Sequence, residues 1–186
     1  MTAPSDTGPV ARQGRGPVNG ILAVAVGSAV AIGLGVYGTL HPPSGFSINL
    51  PGFSDGRAVK TWLATAAMLP ALVQLATAVP MRRTAARPWL AVLHRWSGRA
   101  AVLLTVPVAV HCLYALGVQS GAPRVLVHSL LGCAFYGAFV TKMLLLTRHG
   151  FPARALAVTG GAVFALLTAL WLSSSVWVFG TAGVSF

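Results

Sequence analysis

The chain has almost no acid. Asp6 and Asp55 are its only carboxylate side chains among 186 residues, and there is no glutamate. That scarcity excludes a Ser-His-Asp triad, a metalloprotease general base and a glycosidase carboxylate pair. It also excludes the intramembrane carboxylate relay of proton-coupled pumps, since neither aspartate lies in an apolar run. Cysteine is nearly as scarce. Cys112 and Cys133 both fall inside apolar runs, where small buried thiols are the better reading than a disulfide. Charge of any sign makes up only 8% of the chain, yet the formal net charge is +11. The basic residues punctuate apolar runs instead of forming a free basic module, so nucleic acid is not an expected partner.

Hydrophobic sequence is what remains. Side chains of that class are 55% of the total, and several runs reach the roughly 20 residues needed to cross a bilayer core of about 30 Å. The expected fold is all-α, an integral membrane bundle of five transmembrane helices, with membrane lipid as its surroundings. Residues 1–19, rich in Pro, Gly and small polar residues, are expected to be a disordered tail ahead of one domain at 20–186. The first span runs from Gly20 to about Leu40 and is too long for a signal peptide's apolar core. Its glycines Gly27, Gly33, Gly35 and Gly38 point to close packing on a neighbouring helix. His41-Pro42-Pro43 stops it.

The second span is expected from Lys60 to about Val79, kinked or interrupted near Pro70, with Gln74 its one strongly polar side chain. The third begins near Trp89, with its hydrocarbon portion from Ala100 to Gly117. The fourth runs from about Val125 to Thr147. The fifth runs from about Leu156 to Phe179, with Trp171 and Trp177 as interface anchors. With the N-terminus cytoplasmic, most arginines, Lys142 among the cations beside them, fall inside, and only Arg57, Lys60 and Arg124 fall outside. The distribution of positive charge thus predicts an N-in, C-out multi-pass protein of a bacterial cell membrane.

Four of the five histidines lie between Trp89 and His149, on the third and fourth spans. His111 and His128 flank the turn Gln119-Ser120-Gly121-Ala122-Pro123 at similar depth, and His94 and His149 lie at the opposite end. Histidine in a membrane helix is costly and usually functional. Neutral imidazoles at matched depth, with no carboxylate, suit bis-histidine ligation of a b-type haem iron by His111 and His128. Gly132 follows His128 by one turn on the same face, leaving room for a flat macrocycle, and Arg124 precedes it by one turn, placed for a propionate. Pro107 precedes His111 by four and could re-aim its ring.

His94, with Gly98 four residues on, is the next candidate and would mark a second haem about 25 Å along the helix from His111. His149, in Arg148-His149-Gly150, reads more simply as a cationic helix cap. Ligands on sequence-adjacent helices can share one haem only if those helices splay or sit diagonally. Otherwise a third element intervenes, and His41 is the outer histidine available. Against haem stand packing histidines that hydrogen-bond between helices, or another metal.

The segment Leu93-His94-Arg95-Trp96-Ser97-Gly98-Arg99 resembles the Leu-His-Arg-x-x-Gly-Arg signature of the transmembrane cytochrome b family named five-sixty-one, and more loosely that of ferric-reductase-like membrane domains. The pair His128 and Gly132 is similar to that family's His-x-x-x-Gly helix. The match covers roughly residues 89 to 137, and the second and fifth spans lack the histidines the family distributes over four helices. The chain also looks like small five-span bacterial membrane proteins of unassigned function. What the resemblance to the cytochromes implies is b-type haem, a metal-binding role for His94 and electron transport across the membrane. The resulting expectation is an electron-transfer protein working with a quinol or a redox partner protein. The alternative, from another class, is a non-enzymatic structural or assembly subunit of a larger membrane complex. A small transporter fits less well, without intramembrane carboxylates or an inverted repeat.

Overall fold

The computed structural model describes residues 15–46, 49–83, 87–119, 121–148 and 151–186, with side chains left aside at 15–17 and 82–83. Every regular element among them is helical. These are α1 (Arg15–Leu40), α2 (Gly56–Arg83), α3 (Pro88–Val110), α4 (Pro123–Thr147), α5 (Ala153–Trp171) and the short α6 (Trp177–Ala182). α3 runs on into a π-helical turn at His111–Leu116, and a second π-helical turn at Leu172–Val176 joins α5 to α6. Five of the resulting rods are long and apolar enough to cross a membrane, Val18–Leu40, Gly56–Met81, Pro88–Leu116, Pro123–Thr147 and Ala153–Ala182. The expected all-α five-span architecture is therefore what forms.

Local signals explain the ends. The Asp55 carboxylate accepts the Ala58 N–H at 2.8 Å and caps α2. Pro88 and Pro123 each open a helix, where a missing N–H costs nothing. α1 begins at Arg15, ahead of the expected start at Gly20, and residues 1–14 lie outside the described residues. α2 continues through Pro70 and Pro80, so the helix is not interrupted near Pro70, where a kink or interruption is expected. In a membrane helix the neighbours stabilise such a site that water would otherwise break.

Gly117 ends the π-helical turn with φ 65°, a left-handed conformation that suits glycine. A Cβ there would also meet the Gly38 carbonyl oxygen at 3.0 Å. Past it, the Val118 N–H donates to Gly38 at 2.7 Å, and the loop after α1 satisfies the turn's last carbonyls, with Ser44 N–H donating to Tyr114 at 3.3 Å and Gly45 N–H to Ala115 at 3.1 Å.

Around the bundle, α1 packs along α4, α4 along α5, and α2 bridges α5 and α3. α1 reaches the α3 rod mainly at its π-helical turn, and the backbones of α3 and α4 stay apart despite the short turn joining them, bridged by side chains such as Thr105 and Tyr136. The core is small and mixed, built on Met68, Ala71, Ala101, Phe135 and Leu167. The α1–α4 seam is closer still. A Cβ on Gly137 would lie 2.6 Å from the Gly27 carbonyl oxygen and 2.8 Å from Ala31 Cβ, and Thr141 Oγ1 reaches across to the Ala23 carbonyl at 3.3 Å. Small residues permit that approach where burial from water gives no driving force. Of the α1 glycines singled out above, Gly27 and Gly38 face such neighbours, Gly35 only touches Cys133 Sγ, and Gly33 meets nothing within 4 Å.

Candidate functional site: a histidine facing an interhelical cavity

Because α3 and α4 stand apart, a cavity of about 100 Å³ opens between them, walled by α2 and α5 as well. Thr105, Val108 and Cys112 line it from α3, His128, Gly132 and Tyr136 from α4. His128 Nδ1 lies 2.9 Å from Ser173 Oγ on the π-helical turn after α5, and Ser173 Oγ donates to the Leu170 carbonyl at 3.2 Å. A hydroxyl has one proton. In the tautomer in which Ser173 keeps its proton on that carbonyl, the imidazole donates Nδ1–H and Nε2 carries the lone pair. Tethering one ring nitrogen so that the other can ligate or accept a proton is how protein surroundings orient a histidine.

Arg124 supports that tether from behind. Its Nη1 donates to the Ser173 carbonyl at 2.6 Å, and its guanidinium lies 3.7 Å above the Trp177 ring centroid. The arginine therefore positions the serine that positions the histidine. Gly132, one turn along, also lines the cavity, and an added Cβ there would meet only Leu170 Cδ2 at 3.9 Å.

His111 does not join this site. It is buried at 8% exposure, yet it is not among the cavity's lining residues. The reason is helical arithmetic, since at 3.6 residues per turn it points about a quarter of a turn away from the face of Thr105, Val108 and Cys112. The Lys60 ammonium acts on it electrostatically, as it does on His128. His41 is not a substitute. Its ring stands between those of Tyr37 and Tyr114, with centroids 5.0 and 4.9 Å away, and its Nδ1 is buried with no hydrogen bond.

At the other end of the bundle His94 repeats the His128 arrangement on a different helix. Its Nδ1 is 2.8 Å from Thr77 Oγ1, which lies 2.7 Å from the Val73 carbonyl oxygen, and with the threonine proton on that carbonyl Nε2 carries the lone pair. Lys142 of α4 is close enough to act on it electrostatically. Gly98 has a different role from the one expected. The Gln74 amide occupies its open face, within 2.6 Å of where a Cβ would be, and Gln74 Nε2 donates to the His94 carbonyl. That glycine admits α2, and no room is left there for a macrocycle. His149 lies outside the described residues.

Sequence reasoning missed Ser173, Thr77 and the Tyr136–Thr105 pair, whose hydroxyls are 3.0 Å apart. The signal was present in Ser173-Ser174-Ser175, a polar run inside an apolar span. Ser173 serves α4 and the fully buried Ser175 donates to the Thr61 carbonyl of α2 at 3.1 Å. Trp171 likewise turns inward, with Nε1 donating to Thr65 Oγ1 at 3.1 Å, and is no interface anchor. Among the described residues no three His, Cys, Asp or Glu side chains come together as a metal cluster.

The chain belongs to DUF6529, a family of unknown function, whose model matches residues 20–186. No curated protein and no solved structure matches it.

Proposed function

We propose that this chain is a b-type haem-binding electron-transfer protein of the membrane, with His128 as its anchored axial ligand. One observation carries the reading: His128 lines the cavity between two helices whose backbones stay apart, held at Nδ1 by Ser173. The imidazole suits a haem iron, but the cavity of about 100 Å³ is too small for a macrocycle as it stands, so binding one requires α3 and α4 to part and the Tyr136–Thr105 hydrogen bond between them to break. When bound, haem iron supplies one-electron redox chemistry, and the protein supplies ligation, burial and field.

Three features of the chain serve that role. Ser173 and Arg124 hold the imidazole against rotation. The apolar walls, among them Leu167, Leu170 and Trp171, keep water away. Lys60 sets a positive field over His128. His94 has a similar hydroxyl contact at the opposite end, but Gln74 fills the space beside it and no second haem is proposed there. The likeness of the His128 and Gly132 pair to the cytochromes' His-x-x-x-Gly helix supports the His128 assignment. The distribution of the arginines supports an N-in, C-out orientation, and a bacterial cell membrane is the proposed setting.

The test is a dithionite-reduced minus oxidised spectrum of the purified protein from haem-replete cells, with haem counted per chain. His128→Ala is expected to lose the cavity haem, Ser173→Ala to weaken retention by roughly 10–100-fold, and His111→Ala to leave it unchanged. A colourless wild-type preparation would refute the proposal and favour the structural-subunit alternative.

A further inference from the structure

Lys142 is a cation turned into the bundle. At steps of seven residues, His128, the buried Phe135 and Lys142 share one side of α4, so the lysine faces inward with the core. It is half-buried, on a span long and apolar enough to cross a membrane. Helical side chains lean toward the helix N-terminus, which carries this one away from the near end of α4 at Thr147. The surface of α5 receives it. A Cβ added to Gly160 would lie 3.9 Å from both Cε and Nζ of Lys142. His94 of α3 is within electrostatic reach. Lys142, Gly160 and His94 each lie roughly 8–10 Å in from a helix end, so they form one layer.

That layer has no anion of its own. The chain carries two carboxylate side chains. Asp55 caps α2 at the opposite end of the bundle, and Asp6 lies outside the described residues. Among the described residues Lys142 makes no ion pair and no hydrogen bond. A charge withdrawn from water into a membrane bundle is costly unless something pairs with it.

The surroundings suggest the partner. At 29 and 30 residues, the rods Pro88–Leu116 and Ala153–Ala182 match a bilayer with its headgroups, about 40–45 Å thick. The lysine layer therefore lies near the boundary where lipid phosphates meet hydrocarbon. The backbones of α3 and α4 stay apart, and α1 reaches the α3 rod mainly at the π-helical turn near the other end, so α1 leaves the α3–α4 gap uncovered here. Arg95, Arg99, Arg148 and Arg154 are exposed at the same end. A basic rim between membrane helices draws anionic headgroups.

We infer that the Lys142 ammonium binds the headgroup phosphate of an anionic phospholipid that enters between α3 and α4. The site does not rest on the haem reading, since it lies at the other end of the bundle from the His128 cavity.

The experiment is equilibrium binding of short-chain phosphatidylglycerol and phosphatidylcholine to the full chain in a neutral detergent, with inorganic phosphate as a third probe. A charge-assisted contact predicts that phosphatidylglycerol binds roughly 10-fold more tightly than phosphatidylcholine. Lys142→Met, which removes a charge from the bundle and is checked for an intact thermal transition, should lose most of that preference. Lys142→Arg should keep it, as should Arg154→Gln on the rim. Equal affinity for the two lipids in the wild type would overturn the inference, and so would a preference that survives in Lys142→Met. Inorganic phosphate that binds as tightly as phosphatidylglycerol would overturn the lipid as its source. An Asp6→Asn variant with a several-fold sharper preference would show that the tail supplies the counter-ion, and would overturn it too.

Discussion

Two glycines on α4 are five residues apart, point about 140° from each other, and meet opposite surroundings. Gly137 presses against the backbone of α1, with the Gly27 carbonyl oxygen 2.6 Å from where its Cβ would be. Gly132 faces the cavity, and its missing side chain is answered by a single Leu170 contact at 3.9 Å. The same residue type closes one side of the helix and leaves the other open. Closing a helix pair in lipid depends on contact between backbones, so a seam of small residues is tight or it is nothing. An unfilled space, by contrast, persists only where neighbouring helices are held apart by their other partners. Here α1 and α5 hold α4, and α2 holds α3.

The comparison can be broken most severely at the seam. Gly137→Val should destabilise the fold by about 1–3 kcal/mol through overpacking, read as an earlier thermal transition in detergent. Retention of the wild-type transition would mean that α1 and α4 are not so closely apposed.

A middle effect is expected at Gly98, whose open face holds an amide on a flexible side chain instead of backbone. Gly98→Ala should cost about 0.5–1.5 kcal/mol by displacing Gln74 from the His94 carbonyl. Gln74→Ala in the same chain should remove most of that cost, giving a clear coupling in a double-mutant cycle. Additive losses would show that Gln74 does not fill the space.

The smallest change in stability belongs to Gly132. Gly132→Leu should leave the thermal transition within about 0.5 kcal/mol of wild type, because its side chain enters an existing void. It should nonetheless exclude haem, seen as a lost Soret band. Destabilisation as large as that at Gly137 would mean the cavity is filled by protein.

Much of the architecture was legible before any coordinates. Five apolar runs and the His41-Pro42-Pro43 stop predict the rods within a turn or so of where they lie. The small-residue seam was legible at Gly27 but not at Gly33, which shares the composition and faces open space. The candidate site was legible only in part. His128, with Gly132 beside it, meets the cavity as expected. His111 was chosen for matched depth along the helix, and depth says nothing about azimuth. Gly98 was matched to a motif, while its neighbour Gln74, noted only as a lone polar residue, explains it. Ser173 and Thr77 hydrogen-bond the histidines from other helices, where no local pattern pairs them.

What the chain's own order of residues determined is the set of helices and their immersion in lipid. Without water, each apolar segment must satisfy its backbone within itself, and that is a local requirement. Which helix sides meet was decided only in three dimensions. The closeness of Gly27 to Gly137, the gap between α3 and α4, and the choice of His128 over His111 arise from packing between segments distant in sequence, and the energy of such packing belongs to pairs of helices and not to any one of them.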